Sequence, residues 1–205
     1  MADDPSPSTR KWVSRAGEKL DHALDSFSMD VTGLRCADFG CSTGGFTDCL
    51  LQRGAAGVIA VDTGYGVLDW SLRQDDRVEV RERSNVLHAT PPDTLVDLVV
   101  IDVGWTPQAK VLPVAANWIR VGGRVISLIK PHYEHSADTR GRGPARLEDE
   151  QAHEAFQQTL AKMPDWGWQV LAHTPSPLRG AKSGKGRKGA GNLEFLALIE
   201  PLFED

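Results

Sequence analysis

Short apolar runs alternate with amphipathic segments along most of the chain. The apolar runs are rich in β-branched and aliphatic residues and predict five strands: RCADFG (35–40), GVIAVD (57–62), VEVRE (78–82), VDLVVIDV (96–103) and RVISLIK (124–130). Apolar residues at helical spacing predict helices in the stretches between several of these strands: 45–53, 67–74 and 108–119. This alternation is typical of a mostly parallel sheet that is covered by helices on both faces.

The segments before and after these five strands complete the predicted fold. Residues 14–27 predict a first helix, 140–146 a loop, and 147–163 a last helix. Two further strand-like runs follow, WGWQVLAHT (166–174) and NLEFLALIEP (192–201), with no helix between them. Consecutive strands without a crossover helix pair antiparallel. We therefore expect an α/β fold with a seven-stranded sheet and an antiparallel last strand, formed by one domain over 12–205 after a loose leader at 1–11.

Composition fits a single soluble domain. The chain has 205 residues, of which 40% are hydrophobic and 25% charged, as is usual for globular proteins. The N-terminus is acidic with no apolar run behind it, and no segment resembles a membrane span, which predicts a cytoplasmic protein without a membrane partner. Cys36, Cys41 and Cys49 are odd in number and lack metal-ligand spacing, so we expect reduced thiols and no metal site.

Positive charge is concentrated in one stretch near the C-terminus. The net charge of −5 argues against a general nucleic-acid binder. Between Arg179 and Lys188, however, the chain carries five basic residues and no acid: Arg179, Lys182, Lys185, Arg187 and Lys188. This basic segment runs directly into the last predicted strand.

The predicted topology indicates where a ligand would bind. In open α/β sheets, ligands bind outside the carboxyl ends of the parallel strands. The residues at these ends are Gly40, Asp62, Ser84, Asn85, Asp102 and Lys130. A last strand that runs the other way begins at this same edge, which places Glu194 there too.

A glycine-rich turn, DFGCSTGGF (38–46), follows the first strand and precedes a helix. Ser42 occupies the second glycine position of the dinucleotide motif, so a nicotinamide cofactor is disfavoured. Asp62 ends the next strand about twenty residues later, where an acid can bind both ribose hydroxyls. Together they favour an adenosine-containing ligand, which Asn85 could contact at the adenine. A bare tight turn, a solvated acid and a turn asparagine are the alternatives.

Asp102 and Lys130 each end a strongly apolar strand. A charge in such a position is costly unless it is paired or functional, although strand ends also reach solvent. Lys19 is a weaker candidate, because a lysine on an amphipathic helix usually faces water, and Glu194, an acid inside an apolar run, is intermediate. Trp105 follows Asp102 closely and is a candidate for base stacking, although packing is the commoner role of an aromatic side chain.

The motifs resemble one known family. They are VSRAGEKLDHAL, ADFGCSTGGFTDCLLQRGA, VIAVDTGYGVLDWSLRQDDRV, DLVVIDV, SLIKPHYE and NLEFLALI, in this order between Trp12 and Pro201. They are similar to the FtsJ-like RNA ribose 2′-O-methyltransferases, within these to the haemolysin A (TlyA) type. The resemblance implies a Rossmann-like class I methyltransferase fold, S-adenosyl-L-methionine as the cofactor, and RNA, in particular ribosomal RNA, as the partner.

The resemblance also implies roles for individual residues. The family's Lys-Asp-Lys-Glu catalytic tetrad falls on Lys19, Asp102, Lys130 and Glu194. The residues implied to bind the cofactor are Gly40, Ser42, Gly44, Gly45, Phe46, Asp62, Asn85 and Asp102. Methyl transfer to a hydroxyl is an in-line displacement that depends on positioning. Lys130 is the expected base, Asp102 would hold its amine, and Lys19 and Glu194 would orient the ribose.

The sequence departs from the family at several places. Members usually carry a small S4-like RNA-binding domain before this one, and only eleven residues precede Trp12 here. Two glycines are usual at Ala16-Gly17, and a serine at Gly104. We expect the long basic segment to contact RNA phosphates through Arg179, Lys182, Lys185, Arg187 and Lys188; a solvated loop is the alternative.

Three other functions stay open at this point. A non-catalytic RNA-binding or ribosome-assembly protein could keep the same fold, and a methyltransferase could act on a substrate other than RNA. Membrane lysis ranks last, because the sequence has no basic amphipathic helix.

Overall fold

The computed structural model describes residues 11–138, 146–180 and 191–202. Over these residues the chain forms one seven-stranded sheet with the order β3-β2-β1-β4-β5-β7-β6. The strands are β1 (Arg35–Phe39), β2 (Gly57–Val61), β3 (Val78–Arg81), β4 (Val96–Ile101), β5 (Ile119–Ile129), β6 (Trp168–Pro175) and β7 (Phe195–Pro201).

The first five strands are parallel, and the last strand is reversed. β1 pairs with β2 and β4, β2 with β3, and β4 with β5, all in parallel register. β7 lies between β5 and β6 and is antiparallel to both. The predicted seven-stranded sheet with an antiparallel last strand is confirmed. The end of β6 and the start of β7 consequently lie at the carboxyl edge of the parallel strands.

Helices cover both faces of the sheet, as predicted. They are α1 (Ala16–Ser26), α2 (Gly45–Gln52), α3 (Trp70–Arg73), α4 (Gln108–Ala116), α5 (Pro131–Asp138) and α6 (Asp149–Lys162). One core contains side chains of α1, α2 and α3, and the other contains those of α4 and α6. Successive residues of β4 alternate between the two: Leu98 and Val100 face the first, Val99 and Ile101 the second.

β7 begins at Phe195, three residues later than predicted, and three elements differ further from the sequence prediction. The helix expected over 67–74 is one turn, because the Glu82 carboxylate accepts the N–H groups of Gly66, Val67 and Leu68 and holds them in a loop. β5 begins at Ile119 instead of 124, so the last residue of the segment predicted as a helix over 108–119 belongs to this strand. α5 directly follows Lys130 and was not predicted; Pro131 at its first position has the φ that a helix needs.

The cysteines agree with the expectation of reduced thiols. Cys36, Cys41 and Cys49 are free and buried, and burial raises the pKa of the Cys36 and Cys49 thiols to about 12. Over the three described ranges, no group of side chains is arranged to hold a metal ion. No helix in this part of the chain has the length and apolar character needed to cross a membrane.

Candidate active site

Two lysine–carboxylate pairs lie at the carboxyl edge of the sheet. Lys19 Nζ is 2.5 Å from Glu194 Oε2, and Lys130 Nζ is 2.6 Å from Asp102 Oδ1. Lys130 also donates to the carbonyl oxygen of Val103 at 3.0 Å. The four charged residues singled out in the sequence are therefore joined as two ion pairs.

The sheet register brings these residues to one place. The N–H of Asp102 donates to the Phe39 carbonyl oxygen at 2.9 Å, which continues the β1–β4 ladder by one residue. Ile129 pairs with Phe195 in the antiparallel β5–β7 ladder. Lys130 is the next residue of one strand and Glu194 the preceding residue of the other, so the two lie opposite each other where this ladder ends.

The two pairs differ in their access to solvent. Lys19 and Glu194 are 5% and 4% exposed, whereas the side chains of Lys130 and Asp102 are 13% and 20% exposed. The inner pair is thus sealed in the protein, and the outer pair is open to a substrate. The site carries two positive and two negative charges, which leaves it neutral overall. Burial, together with the nearby Lys130 charge, lowers the pKa of His132 to about 4, so this imidazole adds no charge at neutral pH.

The glycine-rich turn between β1 and α2 lies against Asp102. Gly40 has φ +84°, and a Cβ there would lie 2.8 Å from the Asp102 carbonyl oxygen. Glycine is needed at this position both for its conformation and for this close approach. Ser42 adopts φ +49°, a conformation that is uncommon outside glycine, and such strained residues cluster at functional sites.

Three other residues of the turn have packing roles. A Cβ at Gly44 would lie 2.3 Å from Leu72 Cδ1, and one at Gly45 would lie 2.3 Å from Ser14 Oγ. The Phe46 side chain is buried in the core that lies under α1 and α2. Neighbouring atoms already fill the space that a Cβ of either glycine would take, and the Phe46 side chain is in the core. Any contact of these three residues with a ligand therefore comes from the backbone.

Asp62 links the glycine turn to the loop after β2. Its Oδ2 accepts the N–H of Ser42 at 2.9 Å, and its Oδ1 accepts the N–H of Gly64 at 2.7 Å. A carboxylate has about four acceptor positions, so two stay available for hydroxyl donors. Asn85 is exposed, and its Oδ1 accepts the N–H of Leu87 at 3.0 Å. The amide group of Asn85 is then the donor that a ligand could use.

Asp38 holds a buried carboxyl group at the base of the glycine turn. Its Oδ2 accepts the N–H and the hydroxyl of Thr47 at 2.9 and 2.7 Å. Its Oδ1 is buried and has no hydrogen-bond partner among the described residues. Burial raises the pKa of Asp38 to about 7. The turn therefore contains an acceptor oxygen that a donor group of a ligand could satisfy.

Aromatic side chains flank the open pair. Trp105 is 85% exposed and has φ +62°, and its ring centroid is 5.0 Å from that of Tyr133. Lys130 Nζ lies 5.8 Å from the Tyr133 ring centroid. Sequence reasoning missed Tyr133 and the Val103 carbonyl; their only signal was proximity in sequence to Lys130 and Asp102.

The basic segment is described only at its first two residues, Arg179 and Gly180. Arg179 forms an ion pair with Asp149, with N–O distances of 2.8 and 2.7 Å. The remaining predicted RNA contacts lie outside the described residues: Lys182, Lys185, Arg187 and Lys188.

Comparison with known proteins identifies the fold and the family. The FtsJ-like methyltransferase family model matches residues 12–185. The chain belongs to this family.

Individual relatives of this FtsJ-like chain extend the match to nearly its full length. It is 39% identical over 190 residues to the 16S/23S rRNA (cytidine-2′-O)-methyltransferase TlyA of Mycobacterium tuberculosis, covering 92% of this chain and 68% of that protein. It is 35% identical to hemolysin A of Brachyspira hyodysenteriae, covering 91% and 76%. A solved structure of a hemolysin candidate from Streptococcus thermophilus superposes with a TM-score of 0.82 at 36% identity, covering 96% and 69%.

The cofactor of this methyltransferase is S-adenosyl-L-methionine, and the turn fits it. Asp38 Oδ1 supplies a buried acceptor without a partner among the described residues. The strained Ser42 and the carboxylate of Asp62 are held together by a hydrogen bond, with acceptor positions left for ribose hydroxyls. These are the groups that an adenosyl amino acid needs.

Proposed function

We propose that this protein transfers the methyl group of S-adenosyl-L-methionine to the 2′-hydroxyl of a ribose in RNA, and that the RNA is ribosomal. The observation that carries this proposal is the open Lys130–Asp102 pair, which lies beside the glycine turn and in front of the sealed Lys19–Glu194 pair. Relatives named as rRNA (cytidine-2′-O)-methyltransferases support the choice of substrate.

The chemistry assigns a task to each charged residue. The bound cofactor supplies an electrophilic methyl group, and the in-line displacement needs the hydroxyl oxygen held on its far side. Lys130, in its neutral form, accepts the hydroxyl proton at Nζ. Asp102 fixes this amine at 2.6 Å. Lys19 and Glu194 lie sealed behind this pair and neutralise each other, so they would orient the ribose through the open pair.

The cofactor would be held by the turn and the two acids around it. Gly40, Ser42 and the backbone of 44–46 would surround the methionine and ribose end, with Asp102 beside the reacting methyl group. Asp62 would bind the ribose hydroxyls through its free acceptor positions, and Asn85 would donate to the adenine.

Cationic groups near the site support a polyanionic substrate. Arg83 stacks on Tyr65, with its guanidinium carbon 3.9 Å from the ring centroid, and Arg15 is exposed one helical turn before Lys19. In the described part of the chain, neither guanidinium has a carboxylate partner. The side chains of Lys182, Lys185, Arg187 and Lys188 would add contacts to RNA phosphates, which give affinity without sequence preference.

The test is methyl transfer from labelled cofactor to ribosomal RNA or ribosomal subunits, followed by mapping of 2′-O-methylated nucleotides. We expect Lys130→Ala and Asp102→Ala to lose transfer while Lys130→Ala still binds the cofactor in calorimetry. Lys110→Ala, which removes an exposed lysine from α4, should transfer normally. Methyl incorporation that persists in both site variants, or that falls on a base, would overturn the proposal.

A further inference from the structure

Arg179 connects two parts of the chain, the start of α6 and the backbone just before Glu194. Its guanidinium forms two hydrogen bonds with the Asp149 carboxylate at the start of α6, at 2.8 and 2.7 Å. The same group donates to the carbonyl oxygen of Gly191 at 3.3 Å. Arg179 therefore ties the first turn of α6 to the backbone that leads into β7.

Further hydrogen bonds fasten this backbone at its approach to Glu194. The N–H of Gly180 donates to the Asn192 carbonyl oxygen at 3.0 Å. The N–H of Ser176 donates to the Glu194 carbonyl oxygen at 2.9 Å. The N–H of Leu147 donates to Asn192 Oδ1 at 3.3 Å. We call the group formed by Asp149, Arg179, Gly180, Gly191 and Asn192 the Arg179 clasp.

The clasp touches the carboxylate of Glu194 directly. A Cβ at Gly180 would lie 2.7 Å from Glu194 Oε1, and one at Gly191 would lie 1.9 Å from the Gly180 carbonyl oxygen. Both contacts are shorter than a Cβ tolerates, so the two glycines allow the backbone to close against the acid. Glu194 is 4% exposed and paired with Lys19, so it has little room to move away.

We propose that Arg179 is a positioning residue for Glu194 and not a ligand of RNA phosphate. The clasp fixes the start of β7, so the Glu194 carboxylate meets Lys19 in one geometry. Misplacement of an orienting group by about 1 Å can cost on the order of a hundredfold in rate. This inference rests on the proposed function, and it separates Arg179 from the other basic residues of its segment.

The two roles predict opposite effects of removing Asp149. If Arg179 positions Glu194, Asp149→Ala loosens the clasp and lowers kcat, with KM for RNA within about twofold of the wild type. If Arg179 binds phosphate, the same substitution frees a guanidinium and removes a negative charge, so RNA binding becomes tighter and kcat stays the same.

The experiment measures kcat, KM for RNA and its salt dependence for Arg179→Ala, Asp149→Ala, Gly180→Ala and the reversed pair Arg179→Asp/Asp149→Arg. We expect kcat to fall about tenfold or more in the single variants, with the salt dependence of RNA binding unchanged, and to recover largely in the reversed pair. Arg77→Ala removes an Arg–Asp pair of the same bidentate kind outside the site and should leave kcat unchanged.

A raised KM with unchanged kcat in Arg179→Ala, or unchanged kcat in Asp149→Ala, overturns the inference while the proposed function stands. Wild-type protein that transfers no methyl group overturns the proposed function instead. Hydrogen exchange then decides the inference without catalysis. Arg179→Ala should lower the protection of amides in 191–199, and unchanged protection contradicts a positioning role.

Discussion

Glu194 is bound to Lys19 across 175 positions of sequence, with 2.5 Å between Oε2 and Nζ. Both side chains are buried, so the pair ties the first helix of the domain to its last strand. A sealed ion pair of this kind stabilises the fold only while both partners are present. Under the proposed function, stability and catalysis are coupled at this pair.

We expect Glu194→Gln to destabilise the protein by about 3 kcal/mol, because it leaves the Lys19 charge buried and unpaired. Adding Lys19→Met to it should cost less than the sum of the two single changes. Urea denaturation of the double-mutant cycle measures this coupling. Lys11→Ala, at the exposed pair with Asp21, should cost less than about 1 kcal/mol. Additive single effects would show that the pair is not coupled.

Asp62→Ala should weaken cofactor binding at least about tenfold, since it removes the acceptor of Ser42 and Gly64 N–H groups together with the proposed ribose ligand. Asp62→Asn keeps one acceptor oxygen and should bind with intermediate affinity. Calorimetric titration with S-adenosyl-L-methionine measures both. Asp69→Ala, which removes only a local cap at Ser71, is the matched control. Equal affinities for all variants would exclude Asp62 from the cofactor site.

Asp38 should make stability depend on pH. Burial raises its pKa from the ordinary value of 3.8 to about 7, so the folded state holds this proton more tightly than the unfolded state. Stability from this group is complete below about pH 4 and is lost as pH rises towards 7. The amide of Asp38→Asn does not ionise, so this loss is absent in the variant. Its free energy of unfolding should rise relative to that of the wild type by up to about 4 kcal/mol over this range.

Asp97 provides the contrasting case. Burial raises its pKa, but the Arg35 N–H and Arg120 outweigh this and leave it lowered overall. The Asp97 carboxylate therefore stabilises the wild type above its unfolded pKa, and this contribution is lost as pH falls through its folded pKa. Asp97→Asn lacks this contribution, so its free energy of unfolding should fall below that of the wild type as pH rises through the same range. Denaturation curves at several pH values compare the two variants, and the same trend for both would refute the assignment to Asp38.

Trp105→Ala should raise KM for RNA about tenfold, because stacking on an aromatic ring contributes about 1–3 kcal/mol per base. Cofactor affinity should not change. Trp70 is also highly exposed, at 72%, and lies on α3, so Trp70→Ala serves as the control. Equal KM values for the two variants would assign Trp105 to packing against Tyr133 alone.

Neutralising the basic segment should weaken RNA binding and flatten its salt dependence. Replacing Lys182, Lys185, Arg187 and Lys188 by glutamine removes up to four phosphate contacts, each worth about 0.7–0.9 in the slope of log affinity against log salt. Binding measured from low to physiological salt tests this. Arg124→Gln, at a residue of β5 paired with Glu200, should leave the slope unchanged. An unchanged slope in the quadruple variant would mean that this segment is merely solvated.

Local periodicity was sufficient to predict most of the fold. Except for β5 and β7, the strands appear within about two residues of their predicted bounds, and so do the helices predicted over 45–53 and 147–163. The reason is that apolar residues repeat with the period of the strand or helix whose buried face they form. The helix at 67–74 failed for a tertiary reason. Glu82, distant in sequence, binds the N–H groups of this segment in a loop.

The sequence by itself determined the α/β class, the reversed last strand, the family and the four charged residues of the site, because these follow from spacing and motifs. Only the tertiary structure decided the partners. It joined Lys19 to Glu194 and Lys130 to Asp102, sealed one pair and left the other open. It also paired Arg179 with Asp149. Charge partners depend on which strand ends meet at the sheet edge, and this is set by long-range register that no local pattern carries.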